Sequence, residues 1–198
     1  VSYSYDSLDN LTEITRGDGM KYKLEYNSFH DLESISIDGK PEKLINYTYK
    51  NAGGKIKEIS YANGDKMQAI YNGNGEMAAE KWDTSLGELK AHYKYVYDKK
   101  GNIVRSIDIL GGKEYNYTYQ EDTLIRSAEY DIQLEGEIVT SKAPVNNIKY
   151  HYNENGKLTK KVITQGAEEQ VFYYEENEDN SEILKFTVGD KTITSHSK

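Results

Sequence analysis

The stretch Tyr95-Val96-Tyr97-Asp98-Lys99-Lys100-Gly101-Asn102-Ile103 decides the fold. Side chains alternate along a strand, so Tyr95 and Tyr97 lie on one face and Val96 on the other. Asp98 to Asn102 then carry turn chemistry: an Asp that can bond its own backbone, and a Gly or Asn that tolerates positive φ. Ile103 reopens an apolar strand. The unit predicted is a small β-hairpin.

The unit recurs. Taking the tyrosine before each turn as anchor gives Tyr5, Tyr26, Tyr49, Tyr71, Tyr97, Tyr119, Tyr152 and Tyr174, at steps of 21, 23, 22, 26, 22, 33 and 22 residues. A recurring period near 22 marks a repeat architecture of eight units over residues 1–198. Two residues before each anchor stand Tyr3, Leu24, Tyr47, Ala69, Tyr95, Tyr117, Tyr150 and Phe172, all apolar or aromatic, with Lys, Glu, Asn or Thr often in between. That alternation predicts a strand with one covered face. Tyr3, Tyr5, Tyr26, Tyr47, Tyr49, Tyr71, Tyr95, Tyr97, Tyr117, Tyr119, Tyr150, Tyr152 and Tyr174 are therefore read as structural, stacking in ladders between repeats with hydroxyls free to reach neighbours or water.

After each turn an aliphatic returns six residues past the anchor: Leu11, Leu32, Met77, Ile103, Ile125 and Leu158, with Gly53-Gly54 delaying it to Ile56. The pairs Leu11/Ile14, Leu32/Ile35 and Ile56/Ile59 are spaced by three, out of phase with a flat strand, which predicts a bulge or sharp twist. Second turns such as Arg16-Gly17-Asp18-Gly19 and Asn63-Gly64-Asp65 close each unit. The fold class expected is all-β: an antiparallel meander of about sixteen strands, two per repeat, forming a twisted, curled sheet or partial β-shell. The long step places an insertion at about 131–147, an extended loop or longer hairpin, and the last repeat, 170–198, is degenerate. Pro41 and Pro144 fall between repeat words. The chain begins at Val1 inside a repeat word, so it is expected to be a piece of something longer.

Composition narrows the function classes. Hydrophobic residues are 36% of the chain but 19 residues are Tyr, so aliphatic material is thin and tyrosine must supply the buriable area. The net charge of -8 comes without a basic stripe, which argues against nucleic acid or an anionic membrane surface as partner. There is no Cys, hence no disulfide or thiolate site, and no apolar run long enough to span a membrane.

Few residues suggest chemistry. His30, His92, His151 and His196 lie in unrelated contexts and read as solvent-exposed strand histidines; no catalytic residue, metal ligand or cofactor is assigned. The run Glu175 to Glu182 is acidic enough for Ca²⁺ but lacks the EF-hand register and reads as a solvated loop. Arg16-Gly17-Asp18 spells an adhesion tripeptide, though Gly-Asp-Gly is also turn chemistry, and Asn10, Asn46 and Asn116 open glycosylation sequons. Trp82, the single tryptophan, is the one candidate ligand-binding residue, a carbohydrate platform if exposed and a gap filler in a Tyr-rich sheet otherwise.

The word Tyr-x-Tyr-Asp-x-x-Gly-Asn-Ile/Leu, clearest at residues 3–14, 93–103 and 150–158, resembles the YD or RHS repeat, and the resemblance covers essentially the whole chain. Tyr61-Ala62-Asn63-Gly64-Asp65-Lys66 also resembles a MORN word, but only over that stretch. The YD resemblance implies strand-turn-strand units coiling into a hollow β-shell in large bacterial surface or secreted proteins. Such shells enclose toxin domains in polymorphic toxins and insecticidal toxin complexes, and serve adhesion in teneurins. It implies a noncatalytic scaffold, extracellular or cell-wall associated, whose partners are neighbouring repeats or a linked domain. The alternative is a carbohydrate- or protein-binding adhesion module. The chain has fewer repeats than a closed shell implies and lacks the Pro- and Asp-rich motif that ends the RHS core.

Overall fold

A computed structural model describes residues 1–51, 54–176, 182–188 and 191–197. They form seventeen strands and no helix. The chain divides into two compact units, Val1–Tyr93 and Lys94–Lys198. The first holds β1 (Ser2–Tyr5), β2 (Leu11–Thr15), β3 (Lys21–Tyr26), β4 (Leu32–Ile37), β5 (Lys43–Tyr49), β6 (Ile56–Tyr61), β7 (Lys66–Tyr71) and β8 (Met77–Asp83). β9 (Leu89–Tyr97) runs across the division. The second holds β10 (Ile103–Asp108), β11 (Lys113–Gln120), β12 (Thr123–Glu135), β13 (Ile138–Tyr152), β14 (Leu158–Gln165), β15 (Glu168–Glu176), β16 (Glu182–Val188) and β17 (Lys191–Ser197). From β1 to β8, and from β10 to β17, each strand pairs antiparallel with the next. The chain is thus the all-β antiparallel meander that the alternation predicts.

The spacing of three is a bulge. Tyr3 faces Ile14 and Tyr5 faces Leu11, so two residues on the outgoing strand oppose three on the return, and Thr12 is the extra one. The same shift occurs at Tyr26 against Leu32, Tyr49 against Ile56, Tyr71 against Met77, Tyr119 against Leu124 and Tyr152 against Leu158. In the sixth repeat the partner is Leu124, not the Ile125 expected from the six-residue rule. That repeat replaces the five-residue turn with a tight one, Glu121 and Asp122 both at positive φ (49° and 68°) between the paired Gln120 and Thr123.

The longer turns share one design. Asp98 Oδ1 accepts the backbone N–H of Lys100 (2.8 Å) and Asn102 (3.0 Å), while Asp98 N–H donates to the Asn102 carbonyl. Asp6, Asn27, Asn72 and Asn153 repeat the pattern. Three residues after each, the chain must take positive φ; Gly75, Gly101 and Gly156 do so freely, but Asp9 (61°) and His30 (65°) do so against their Cβ atoms.

Residues 131–147 lie within the β12–β13 hairpin, the longest among the described residues, whose strands run 13 and 15 residues and turn at Gly136-Glu137. Pro144 sits inside β13, paired with Tyr130 at a register shift, where a bulge tolerates the absent N–H.

Burial departs from a simple in/out alternation. Most tyrosines are half-buried, and among the described residues the buried apolar ones are Met67, Ala69, Ala79, Ile107, Ala128 and Val162. On the first unit's opposite face, Lys21–Glu13, Lys23–Asp38, Lys43–Glu25 and Lys66–Glu58 pair across strands. They lie in partial solvent and add little each. The described residues contain no helix long and apolar enough to cross a membrane.

The left-handed turn position yields a paired expectation. Gly101→Ala, at φ 90°, should destabilise the chain by about 1–2 kcal/mol. His30→Gly should leave stability unchanged or raise it by up to ~1 kcal/mol, because strain relief opposes the added freedom of the unfolded chain. Urea denaturation followed by circular dichroism measures both.

Candidate functional site

The recurrent structure with defined chemistry is the contact between one repeat and the next. Each bulge ends the ladder early. Between β2 and β3 the registered pairs run from Thr15–Lys21 only to Glu13–Lys23, so the Leu11 carbonyl lies beyond the ladder. A backbone carbonyl left without a donor costs free energy. The hydroxyl of Tyr26, at the far end of β3, donates to it at 2.9 Å. Tyr49 donates to the Leu32 carbonyl (2.5 Å), Tyr71 to Ile56 (2.8 Å), Tyr119 to Ile103 (3.0 Å) and Tyr152 to Leu124 (2.9 Å). In each case the anchor of one repeat closes on the first return residue of the repeat before it.

Tyrosines two residues earlier make a second contact. The Tyr117 hydroxyl shares a hydrogen bond with Ser106 Oγ (3.2 Å), and Tyr150 with Ser127 Oγ (3.3 Å). Burial raises the hydroxyl pKa of Tyr47, Tyr49, Tyr71, Tyr119 and Tyr152 above the ordinary 10.0. Tyr3 and Tyr5 differ from the other anchor-side tyrosines: they are 57% and 60% exposed.

Trp82 is half-buried on β8 opposite Met67, its ring stacked on Tyr61 at 6.3 Å with 24° between planes. The stack occupies one face of the indole, which is the gap-filling geometry. Lys50 and Lys55 lie over the Tyr71 ring, each at 5.7 Å, and Lys55 Nζ also donates to the Gly75 carbonyl at 2.6 Å.

One polar group missed in the sequence is fully buried. Glu114, on β11, has 0% side-chain exposure and lies on the face opposite Tyr115 and Tyr117, beside Ile107 and Tyr130. Its carboxylate takes Arg105 Nη2 from β10 at 2.5 Å and Lys142 Nζ from β13. The Lys142 ammonium also lies 5.5 Å from the Tyr130 ring centroid, and Glu137 at the hairpin tip pairs with Lys94 at 2.6 Å. The long hairpin thus turns back toward the face that carries Glu114. Burial pushes the Glu114 carboxyl up, but the Arg105 and Lys142 contacts outweigh it and hold the pKa below the ordinary 4.5. No sequence signal marked it, because the matching positions of other outgoing strands, Lys21, Lys66 and Asn147 among them, are polar as well.

The histidines separate. His30 and His151 are exposed as expected, although His30 lies in the turn after β3 and not in a strand, whereas His92 is only 2% exposed. It does lie opposite Tyr93 and Tyr95, as alternation demands. Alternation assigns a face and not its solvation. The His196 side chain and most of the acidic run at 175–182 lie outside the described residues. Arg16 and Asp18 pair with each other at 3.2 Å in the turn, which engages both charged groups of the tripeptide. Among the described residues no cluster of three His, Asp or Glu side chains is arranged to hold a metal ion. Open grooves run over the strand surface and beside turns. One of about 460 Å³ lies beside Glu121, Tyr150, His151 and Asn153.

No family model matches the sequence, and no curated protein is similar to it. Solved structures are. The fold aligns over 92% of the chain with a Tc holotoxin pore from Photorhabdus luminescens, at 18% identity and a TM-score of 0.67. It aligns likewise with a TcdB2-TccC3-TEV structure (18% identity, 92% of the chain, TM-score 0.68) and with TcdB2-TccC3 (14%, 98%, 0.63). The chain spans 10% of the length of the first two and 14% of the third. These likenesses show a fold. It is the one the YD-repeat resemblance implies.

Removing one hydroxyl isolates the inter-repeat contact. Tyr119→Phe should cost about 0.5–1.5 kcal/mol in urea denaturation, toward the lower end because water can reach a half-exposed carbonyl. The raised tyrosine pKa values set the alkaline limit: stability is intact below pH 10 and falls as pH rises through the folded-state values, because the unfolded chain ionises first. Absorbance of tyrosinate should rise together with the loss of circular dichroism.

Glu114 sets an acid-side expectation. Its lowered pKa contributes stability above pH 4.5 that is lost as pH falls through the folded value. Arg105→Ala, which leaves the buried carboxylate with Lys142 alone, should destabilise more than Glu114→Gln, by roughly 1–3 kcal/mol given that both cations are partly exposed. Chemical denaturation at pH 7 and pH 4 checks the order and the pH dependence.

Proposed function

We propose that this chain is a noncatalytic scaffold section of a larger, extracellular β-repeat protein of bacterial YD/RHS type, built of eight units anchored at Tyr5, Tyr26, Tyr49, Tyr71, Tyr97, Tyr119, Tyr152 and Tyr174. The observation that carries this is the tyrosine–carbonyl contact repeated from unit to unit. It uses the chain's most abundant aromatic to join repeats. A β-section of this kind holds a wall: each unit is stabilised by its neighbours, and the array gains rigidity with length. The fold's likeness to stretches of Tc toxin complexes supports a wall segment of a toxin-enclosing or cell-surface shell, with neighbouring repeats and a linked domain as partners.

The competing reading is a carbohydrate- or protein-binding module presenting Trp82. The Tyr61 stack favours the structural role for that ring. Glycan-array and isothermal binding measurements on the purified chain decide between them. The scaffold reading expects no saturable glycan binding. It also expects Trp82→Ala to lose about 1–3 kcal/mol of stability, less than the ~3–5 kcal/mol of a fully buried tryptophan. Saturable binding that disappears in a folded Trp82→Ala variant would overturn it.

A further inference from the structure

The face of the second unit that lies opposite Tyr150 gathers cations that are scattered in the sequence. Arg126 on β12 stands directly across from Lys149 on β13, and His151, two residues on, stands directly across from Lys160 on β14. Directly opposed residues share a face with their Cβ atoms about 5 Å apart, and residues two apart in a strand share it as well. Arg126, Lys149, His151 and Lys160 therefore form one patch across three strands. Arg126, Lys149 and His151 are exposed and Lys160 is half-buried.

The patch differs from the rest of the chain in its pairing. On the corresponding face of the first unit, cross-strand charges are of opposite sign, Lys23 against Glu13 and Lys66 against Asp83. Here two permanent cations, Arg126 and Lys149, oppose each other, which destabilises a sheet. Among the described residues none of the four forms an ion pair: Arg126 Nε donates to Asn147 Oδ1 at 3.1 Å, and Lys160 lies 5.5 Å from the Tyr173 ring centroid. A groove of about 280 Å³ opens beside Arg126, lined also by Ala128, Asn147, Thr164 and Gly166. Asn147 and Thr164 are directly opposed on the same face as Lys149.

We infer that this patch and groove form a docking surface for an acidic polypeptide segment in extended conformation, with carboxylates on alternate residues. The spacing sets the class. Lys149 and His151 are two strand residues apart, about 6.8 Å, which is also the repeat of alternate side chains in an extended peptide. A peptide laid along β13 brings one carboxylate to Arg126 and Lys149 and the next to His151 and Lys160. Its other end enters the groove, where Asn147 Nδ2 and the Thr164 hydroxyl meet its backbone. A long polyanion fits worse. The chain carries a net charge of -8, so a nucleic acid or an anionic bilayer reaching past a patch of this size meets repulsion. The surface adds a class of partner to the scaffold reading and does not depend on it.

The probe is a synthetic peptide of three glutamates separated by single glycines, titrated into the 198-residue chain and followed by calorimetry and amide chemical shifts. It should bind saturably at about 20 mM salt and weaken at about 200 mM, where exposed charges are screened within ~10 Å. Shifts should centre on Arg126, Lys149, His151 and Lys160. The glutamine counterpart of the peptide should not bind. Arg126→Gln combined with Lys149→Gln should reduce affinity roughly fivefold to tenfold. The same double variant should leave the unfolding midpoint unchanged or raise it, because a like-charge pair is removed. Lys99→Gln, on the β9–β10 turn, should change neither.

Absence of saturable binding by the glutamate peptide would overturn the proposal, as would equal binding by the glutamine peptide or full affinity in the folded double variant. If the double variant does not fold, Lys160→Gln takes its place, and unchanged affinity there overturns the proposal equally. A single-stranded oligonucleotide or a phosphatidylserine vesicle that binds more tightly than the peptide, and loses that binding in the same variant, would make this a general polyanion site and overturn it too. Glycan binding at Trp82 on β8 is read on the first unit, so the scaffold test fails or stands by itself.

Discussion

The bulge in each repeat creates a problem that the next repeat solves. An extra residue on the return strand, such as Thr12 between Leu11 and Glu13, bends that strand and takes its first carbonyl out of reach of the following strand's ladder. Backbone polar groups need partners, and a tyrosine at the end of the next outgoing strand is long enough to supply a hydroxyl. The polar demand of one unit is met only by the ring of its successor. This turns a string of hairpins into a cooperative array, because a repeat without its neighbour lacks both its cover and its donor.

That arrangement also explains how a chain so poor in aliphatics builds a regular structure. Buried apolar residues are few, and several of them are alanines. The covering area comes from half-buried tyrosines in register with Ile across the ladder, Tyr47 with Ile59 and Tyr49 with Ile56. A half-buried phenol suits a thin sheet better than phenylalanine would, since its apolar body is covered while its hydroxyl bonds backbone or serine. The opposite face of the first unit is finished with cross-strand Lys–Glu and Lys–Asp pairs, which keep it solvated more than they stabilise it.

The second unit breaks this division in one place. The extended β12–β13 hairpin brings Lys142 to Glu114 and Glu137 to Lys94, and the Glu114 carboxylate becomes fully buried and charged. The arrangement holds because two cations converge on one carboxylate, compensating the loss of water. It has no counterpart among the other hairpins of the described residues, and it ties the insertion to the repeats around it.

Sequence by itself determined the repeat, its strands and its bulge. The tyrosine spacing of two against the aliphatic spacing of three already contained the two-against-three register seen at Tyr5 and Leu11, because side-chain period and strand geometry are local properties. Turn positions were equally legible, since Asp98 and Gly101 act within five residues of chain. The sixth return residue was misplaced by one, Leu124 for Ile125, because a tight turn of two positive-φ acidic residues carries none of the usual Gly signal. What only the tertiary structure decided was which groups meet across repeats: the tyrosine hydroxyl on a carbonyl 15 to 28 residues away, the burial of His92 and the convergence of Arg105 and Lys142 on Glu114. Periodicity assigns a residue to a face. Whether that face is wet, and which partner stands over it, depends on how neighbouring strands and an inserted hairpin are laid in space.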